Sequence, residues 1–420
     1  MTIHRPLLRL ACVVHVLATG SAWAQSSPYY LGVAQSLGYE SNLYRLGDNQ
    51  VLPDGLSRSD TVSGTSLVAG VDQTIGRQRV YGSANLRANR YSNNRSLNND
   101  SYGMNLAMDW ETVDKVSGTL ILAADQNLAQ FDRRNASGPV ETKKNVQRTL
   151  SVDSKVRLGL VGLYSLEATL GRRERAYSAA EYDASEYHQN MASLGLRWRP
   201  SAYLQLGAAL RGTQATYPRF RQVDVGTFEA DHLTRQDIDF TAYWQPSGLS
   251  QINARISPTR TRYRRDTGSD FSGITGSASW AWQATGKLKL TTQASRDTGQ
   301  SSDAVNRGIF GNGVSDYGRT STSLSTRGAF DFSAKIGLTA GLTYTHRALT
   351  NTFTLQGLGP TQRVGGDNTT SLALGARWIP TRAIQTGCDL TAERRTASNL
   401  QLSVPLSGNS FSCYGQFILQ

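Results

Sequence analysis

The sequence predicts an all-β fold, a closed antiparallel transmembrane barrel of about eighteen strands with short periplasmic turns and long extracellular loops. Three observations predict it: single apolar residues alternate with small or polar ones almost from end to end, the connections are short and long by turns, and tryptophan recurs at one end of alternate segments. Successive side chains of a strand point to opposite faces, so a period of two gives one face to lipid and the other to water.

The first 24 residues stand apart. Arg5 and Arg9 form a charged start, Leu10 to Ala18 is apolar, and Ala22-Trp23-Ala24 is a small-x-small cleavage site. That order is a secretory signal peptide over 1–24, leaving a barrel over 25–420. No other stretch approaches the ~18 apolar residues that a spanning helix requires. Mean hydropathy is −0.39, and aliphatic residues are dispersed among Gly, Ser, Thr, Asn and Gln. A soluble chain of this length needs longer apolar runs for its cores, whereas a water-filled barrel requires this dispersion.

Formal charge is +12, falling to +10 without Arg5 and Arg9. Arg172-Arg173-Glu174-Arg175 and Arg260 to Arg265 are basic clusters of the kind that bind nucleic acid. Secretion removes that partner, and lipopolysaccharide or another anionic polymer is the natural counter-charge, with outer-membrane lipid around the wall.

The segments follow in order. The first, 29–44, precedes a long loop at 45–60; 61–75 and 79–91 flank a tight turn at Gly76-Arg77-Gln78. Next come 101–112, 116–130, 146–157, 163–176, 188–199 and 202–215, then 234–245, 249–263, 272–284 and 286–298. The last five are 320–332, 335–349, 368–379, 382–395 and 408–419. In 202–215, Leu204, Leu206, Ala208 and Leu210 take one face while Gln205, Gly207, Ala209 and Arg211 take the other. Polar loops are expected at 92–100, 131–145, 177–187, 216–233, 264–271, 299–319, 350–367 and 396–407. Both ends of the barrel then lie in the periplasm.

Outside the leader, tryptophan occurs at Trp110, Trp198, Trp244, Trp280, Trp282 and Trp378, each closing an even-numbered segment before a tight turn. Three open a shared pattern: Trp198-Arg-Pro, Trp244-Gln-Pro and Trp378-Ile-Pro. An indole is apolar with an N–H that seeks water, so this is the expected periplasmic girdle. Proline cannot donate to a ladder and belongs where a strand exits. Phe411, Cys413, Phe417 and Leu419 alternate to the C-terminus as a barrel insertion signal does, although the chain ends in Gln420 rather than an aromatic.

Cys388 and Cys413 fall on the last two segments. A hairpin turning between 400 and 401 sets them opposite each other, both on the apolar parity, so a disulfide in an oxidising compartment is expected. Two reduced thiols acting as small apolar residues are the alternative.

Little here suggests catalysis. His188, His232 and His346 are not at metal-ligand spacing, no Gly-x-Ser-x-Gly elbow occurs, and the loop glycines lack a strand-then-helix setting. The expectation is a non-enzyme without cofactor or metal. What remains is the polar face of the wall. Arg173, Arg175, Arg197, Arg211 and Arg255 point inward, with Asp237, Asp239, Tyr81, Tyr203 and Tyr243 on the same face. Polar groups beside flat aromatic faces suit a sugar chain, although any water-filled pore has charged walls. Arg173, Arg175, Arg197 and Arg211 are expected to form one basic strip.

Gly38-Tyr39-Glu40-Ser41-Asn42-Leu43-Tyr44-Arg45 resembles the opening strand of EpsL-type outer-membrane barrels, which are encoded with exosortase-associated exopolysaccharide clusters. Glu40 stands where Asp is more usual, and the alternating strands with W-x-P turns extend the likeness over most of the chain. The resemblance implies passage of an extracellular polysaccharide across the outer membrane, alongside a periplasmic polysaccharide-export protein and inner-membrane polymerisation machinery. Two rivals stay open. A long loop folded into the channel favours a general or oligosaccharide-specific porin, and a plugged lumen favours a structural or adhesive surface barrel.

Overall fold

The structure is a computed structural model that describes residues 27–113, 115–131, 140–159, 162–224, 226–265, 269–306, 312–355 and 361–419. The leader over 1–24 lies outside the described residues. Eighteen strands run in order: β1 Tyr29–Glu40, β2 Asp60–Ile75, β3 Gln78–Tyr91, β4 Asn99–Glu111, β5 Val116–Leu128 and β6 Val146–Leu158. They continue as β7 Tyr164–Tyr177, β8 Tyr187–Ser201, β9 Leu204–Asp224, β10 Thr227–Ser247, β11 Ser250–Tyr263 and β12 Phe271–Gln283. The set ends with β13 Leu288–Asn306, β14 Asn312–Asp331, β15 Ile336–Leu355, β16 Thr361–Trp378, β17 Ile384–Ala397 and β18 Leu406–Leu419. Each pairs antiparallel with its neighbours in sequence, and β1 pairs with both β2 and β18, so the sheet closes on itself.

The pleat sorts side chains as the alternation requires. Leu31, Val33, Leu166, Leu170, Leu194, Leu210, Phe240, Ile256, Leu324, Leu342, Leu374 and Phe417 are large apolar residues exposed on the outside. Thr, Ser, Asn, Asp and Arg occupy the alternate positions, which face the lumen. In water such an exterior would be untenable; in a bilayer it is solvated, and the paired strands bond their backbone groups within the wall. A closed antiparallel barrel with an apolar exterior and a polar lumen is an outer-membrane barrel.

The indoles gather at the tight-turn end. Trp198, Trp244, Trp280, Trp282 and Trp378 are exposed there, and Trp280 donates from Nε1 to Ser250 Oγ at 2.8 Å. Trp280 and Trp282 stack with ring centroids 5.5 Å apart. Trp110 is more covered because its ring lies across its cross-strand partner Gly118, where a Cβ would come within 2.4 Å of the indole. The pairing skips between Trp198 and Ser201 and between Trp244 and Ser247, where Pro200 and Pro246 withhold a ladder hydrogen bond.

Two expectations about this architecture need correction. The stretches 216–233, 299–319 and 350–367, expected as loops, are largely hairpins in which β9–β10, β13–β14 and β15–β16 continue upward. Above the lipid there is no apolar phase to select alternation, so the period fades while backbone pairing persists. The first strand, expected to reach 44, ends at Glu40. Asn42 closes a turn there, donating from Nδ2 to Leu46 O and accepting from Leu46 N, both at 2.8 Å. Arg45 has φ 54°, the only positive φ at a non-glycine among the described residues.

A basic, aromatic chamber in the barrel lumen

The loop that follows β1 folds over the barrel mouth. Leu43, Tyr44 and Leu46 are buried against Leu97 and Phe131 from the second and third loops, and Tyr44 packs on Phe131 with ring centroids 4.9 Å apart. Burial pushes the Tyr44 phenol up, and the nearby Asp60 carboxylate adds to it, so the hydroxyl stays neutral and donates to Asn94 Oδ1 at 3.1 Å. Asn42 Nδ2 also reaches Ser407 O at 2.8 Å, tying this loop to the start of β18. Arg45 extends from the same turn to Glu393 on the lumen face of β17, with Nη1 3.2 Å from Oε2.

Beneath these loops lies a cavity of about 700 Å³. Its walls carry Arg173 and Arg175 of β7, Arg211 of β9, Arg235 of β10, Arg255 of β11 and Arg347 of β15. Tyr177, Tyr187, Tyr217 and Tyr263 stand among them, and Tyr182 and Leu402 contribute from the loops. A second cavity of about 580 Å³ lies toward the turns, lined by Arg197, Tyr243, Asn253 and a set of serines. Arg255 lines both, so the two adjoin.

The wall behind the upper cavity folds inward. Arg235 of β10 passes β11 and β12 to pair with Asp297 of β13 at 2.8 Å, and its Nη2 reaches Thr275 Oγ1 at 3.1 Å on the way. Covered by this crossing, Asp237 and Asp239 are buried, together with Ser257, Thr259, Thr261 and Thr275. Their bonding accounts for that burial. Thr259 Oγ1 donates to Asp237 Oδ1 at 2.6 Å, Ser257 Oγ to Asp239 Oδ1 at 2.5 Å, and Arg211 Nη2 to Asp239 Oδ1 at 3.0 Å. Arg211 Nη2 also lies 3.3 Å from Asp237 Oδ2, and Arg235 Nε 3.0 Å from Asp237 Oδ1. A buried carboxylate needs paired cations and satisfied lone pairs, and both are present here.

The sequence-derived residues thus separate into groups. Arg173, Arg175, Arg211 and Arg255 meet in the upper cavity; Asp237 and Asp239 lie behind it as their counter-charges. Arg197 leaves the expected strip, because it sits lower on β8 and pairs with Glu167 at 3.0 Å. Tyr243 lines the lower cavity. Tyr81 lines neither and packs under the Arg79 guanidinium, which lies 4.8 Å from its ring centroid. Tyr203, expected on the lumen face, is in the β8–β9 turn and exposed, because β9 begins only at Leu204. Arg235, Tyr187 and Tyr217 were not legible as site residues. Arg235 shares the parity of Asp237 and Asp239, which was the available signal, while Tyr187 and Tyr217 lie where loops were expected.

Cys388 and Cys413 are directly opposed and bonded, with an S–S distance of 2.09 Å. They share the outward parity of Ile384, Leu390, Phe411 and Phe417 and play no part in the lumen. His232 and His346 engage Thr216 and Asn368 respectively, and no cluster of metal-ligating side chains occurs among the described residues.

No family model matches this chain, and no curated protein does. Among solved structures it is similar to a mutant of the ferric enterobactin receptor PfeA of Pseudomonas aeruginosa, at 7% identity and TM-score 0.45, covering 94% of this chain and 81% of that one. It is also similar to OccK10 (OpdN) of the same organism, at 10% identity, TM-score 0.43 and coverage of 94% and 99%. The outer membrane protein opdK, again from Pseudomonas aeruginosa, has 13% identity and TM-score 0.43 over 93% and 98%. At these scores the likenesses add nothing to the strand pairing, on which the barrel rests.

Proposed function

We propose that this barrel is the outer-membrane conduit for an extracellular polysaccharide, guiding the polymer through a hydrated lumen without a covalent step. The observation that carries the reading is the upper cavity, where arginines of β7, β9, β10, β11 and β15 line one space together with tyrosine rings. Guanidinium groups bind carboxylates and hydroxyls through several donors at once, and tyrosine faces accept the C–H faces of sugar rings. The Gly38 to Arg45 resemblance supplies the direction of travel, outward, and the partners: a periplasmic polysaccharide-export protein and inner-membrane polymerisation machinery. A strain lacking the chain should lose cell-surface polysaccharide while inner-membrane synthesis continues.

One observation favours a second reading. The loop after β1 folds inward and anchors on a lumen carboxylate, as the constricting loop of an oligosaccharide-specific porin would. Normal surface polymer in the deletion strain, with uptake of an acidic oligosaccharide impaired, would establish that reading instead.

A further inference from the structure

The positive charge of the upper cavity is not evenly neutralised. Arg211, Arg235, Arg255 and Arg347 each have a carboxylate within 3.5 Å. Arg173 and Arg175, two residues apart on the lumen face of β7, have no ion-pair partner among the described residues. The Arg175 guanidinium lies over the Tyr187 ring at 5.2 Å, and Tyr187 in turn rests against Tyr217 at 5.8 Å. The Nε atoms of Arg175 and Arg211 are buried with no hydrogen-bond partner among the described residues. Buried donors left unmade are costly.

We propose that Arg173 and Arg175, framed by Tyr187 and Tyr217, form a subsite for the anionic substituent of a sugar residue, a carboxylate or a sulfate. The inference rests on the conduit reading for its saccharide but not for its direction of travel. A planar guanidinium offers paired N–H donors that match two oxygens of one oxyanion, and the alternate β7 positions 173 and 175 present two such forks on one face. Tyr187 and Tyr217 bound the space where the sugar ring lies. Asp153, on the same cavity wall below Arg173, accepts from ring hydroxyls and repels a second acidic substituent, so one anionic residue is held at a time. The cavity volume falls within the range of ~300–1,000 Å³ common to small-ligand sites.

The test is single-channel recording of the purified full chain in a planar bilayer, adding trigalacturonate, a sulfated trisaccharide or neutral maltotriose. Trigalacturonate or the sulfated sugar should interrupt the current in short blocks, and maltotriose should not. The arm with the lower half-blocking concentration identifies the oxyanion. In R173Q/R175Q the half-blocking concentration should rise by about tenfold, equivalent to ~1.4 kcal/mol, while R382Q, in the turn after β16 and outside both cavities, should leave it within about twofold. Retained unitary conductance and heat-modifiable gel mobility show that each variant is an assembled barrel. Equal block of the wild type and R173Q/R175Q would overturn the subsite, as would equal block by maltotriose or no block by either acidic sugar. Failure of the conduit reading is distinguishable, since it appears as normal surface polymer in the deletion strain, whatever the recordings show.

Discussion

Arg45 in the first extracellular loop is ion-paired with Glu393 on the lumen face of β17, 348 positions away in the chain. Its side chain is 9% exposed and that of Glu393 22%, so the pair is sheltered from solvent, and losing one partner strands the other. The positive φ at Arg45 and the Asn42 turn set the loop's direction, and the ion pair holds its tip over the mouth. Glu393→Gln should weaken that hold by about 1–2 kcal/mol, less than the ~3–5 typical of a fully buried pair. Unitary conductance should increase and become noisier, with barrel assembly unchanged. Identical conductance and noise in E393Q would mean that the apolar packing of Leu43, Tyr44 and Leu46 and the Asn42 bond to Ser407 hold the loop without the ion pair.

The disulfide joins β17 to β18 across a separation of 25 residues. Closing a loop of that length stabilises the folded state by on the order of 3 kcal/mol in the chain-entropy account. Protein purified without reductant should show no free thiol after denaturation, and C388A/C413A should unfold from detergent at lower denaturant concentration. Two titratable thiols in the denatured wild type would refute the bond.

The two faces of one strand provide a test of the spanning assignment. Leu342 and Thr343 are neighbours in β15; Leu342 is exposed on the outside, and Thr343 points inward. Leu342→Arg should cost ~2–4 kcal/mol near the middle of the bilayer, reducing the folded fraction in lipid. Thr343→Arg should fold normally and alter conductance. Equal folding of both variants would contradict the pleat.

Orientation can be read from labelling. Val223 is exposed near the tip of the β9–β10 hairpin, and Ser247 is at the opposite end of β10. In intact cells a membrane-impermeant maleimide should modify V223C and spare S247C. The reverse pattern would invert the barrel.

Much of this architecture is legible in the sequence because it depends on local period and register. Eighteen strands, the indoles at the turn ends and the facing of Cys388 with Cys413 all follow from alternation and hairpin counting. Less legible is whatever depends on a second surface. Ser41 to Arg45 continues a plausible strand pattern, yet Leu43 and Tyr44, adjacent and so on opposite faces of any strand, are both buried against other loops. Their adjacency was the one local sign of departure from the pleat. The Arg235–Asp297 crossing could not be read, because a period of two assigns a face but not which distant strand lies opposite. For the same reason, one basic strip was expected where ion pairing divides the arginines between two levels.

That the lumen conducts, and that its cationic upper cavity selects for anions, underlies both the conduit reading and the subsite. The direct measurement is the reversal potential of the reconstituted chain under a potassium chloride gradient. The wild type should show stable conductance steps with chloride favoured over potassium, and R173Q/R175Q should shift the reversal potential toward cations. A protein that inserts into the bilayer but passes no current, or one that prefers potassium, would contradict it.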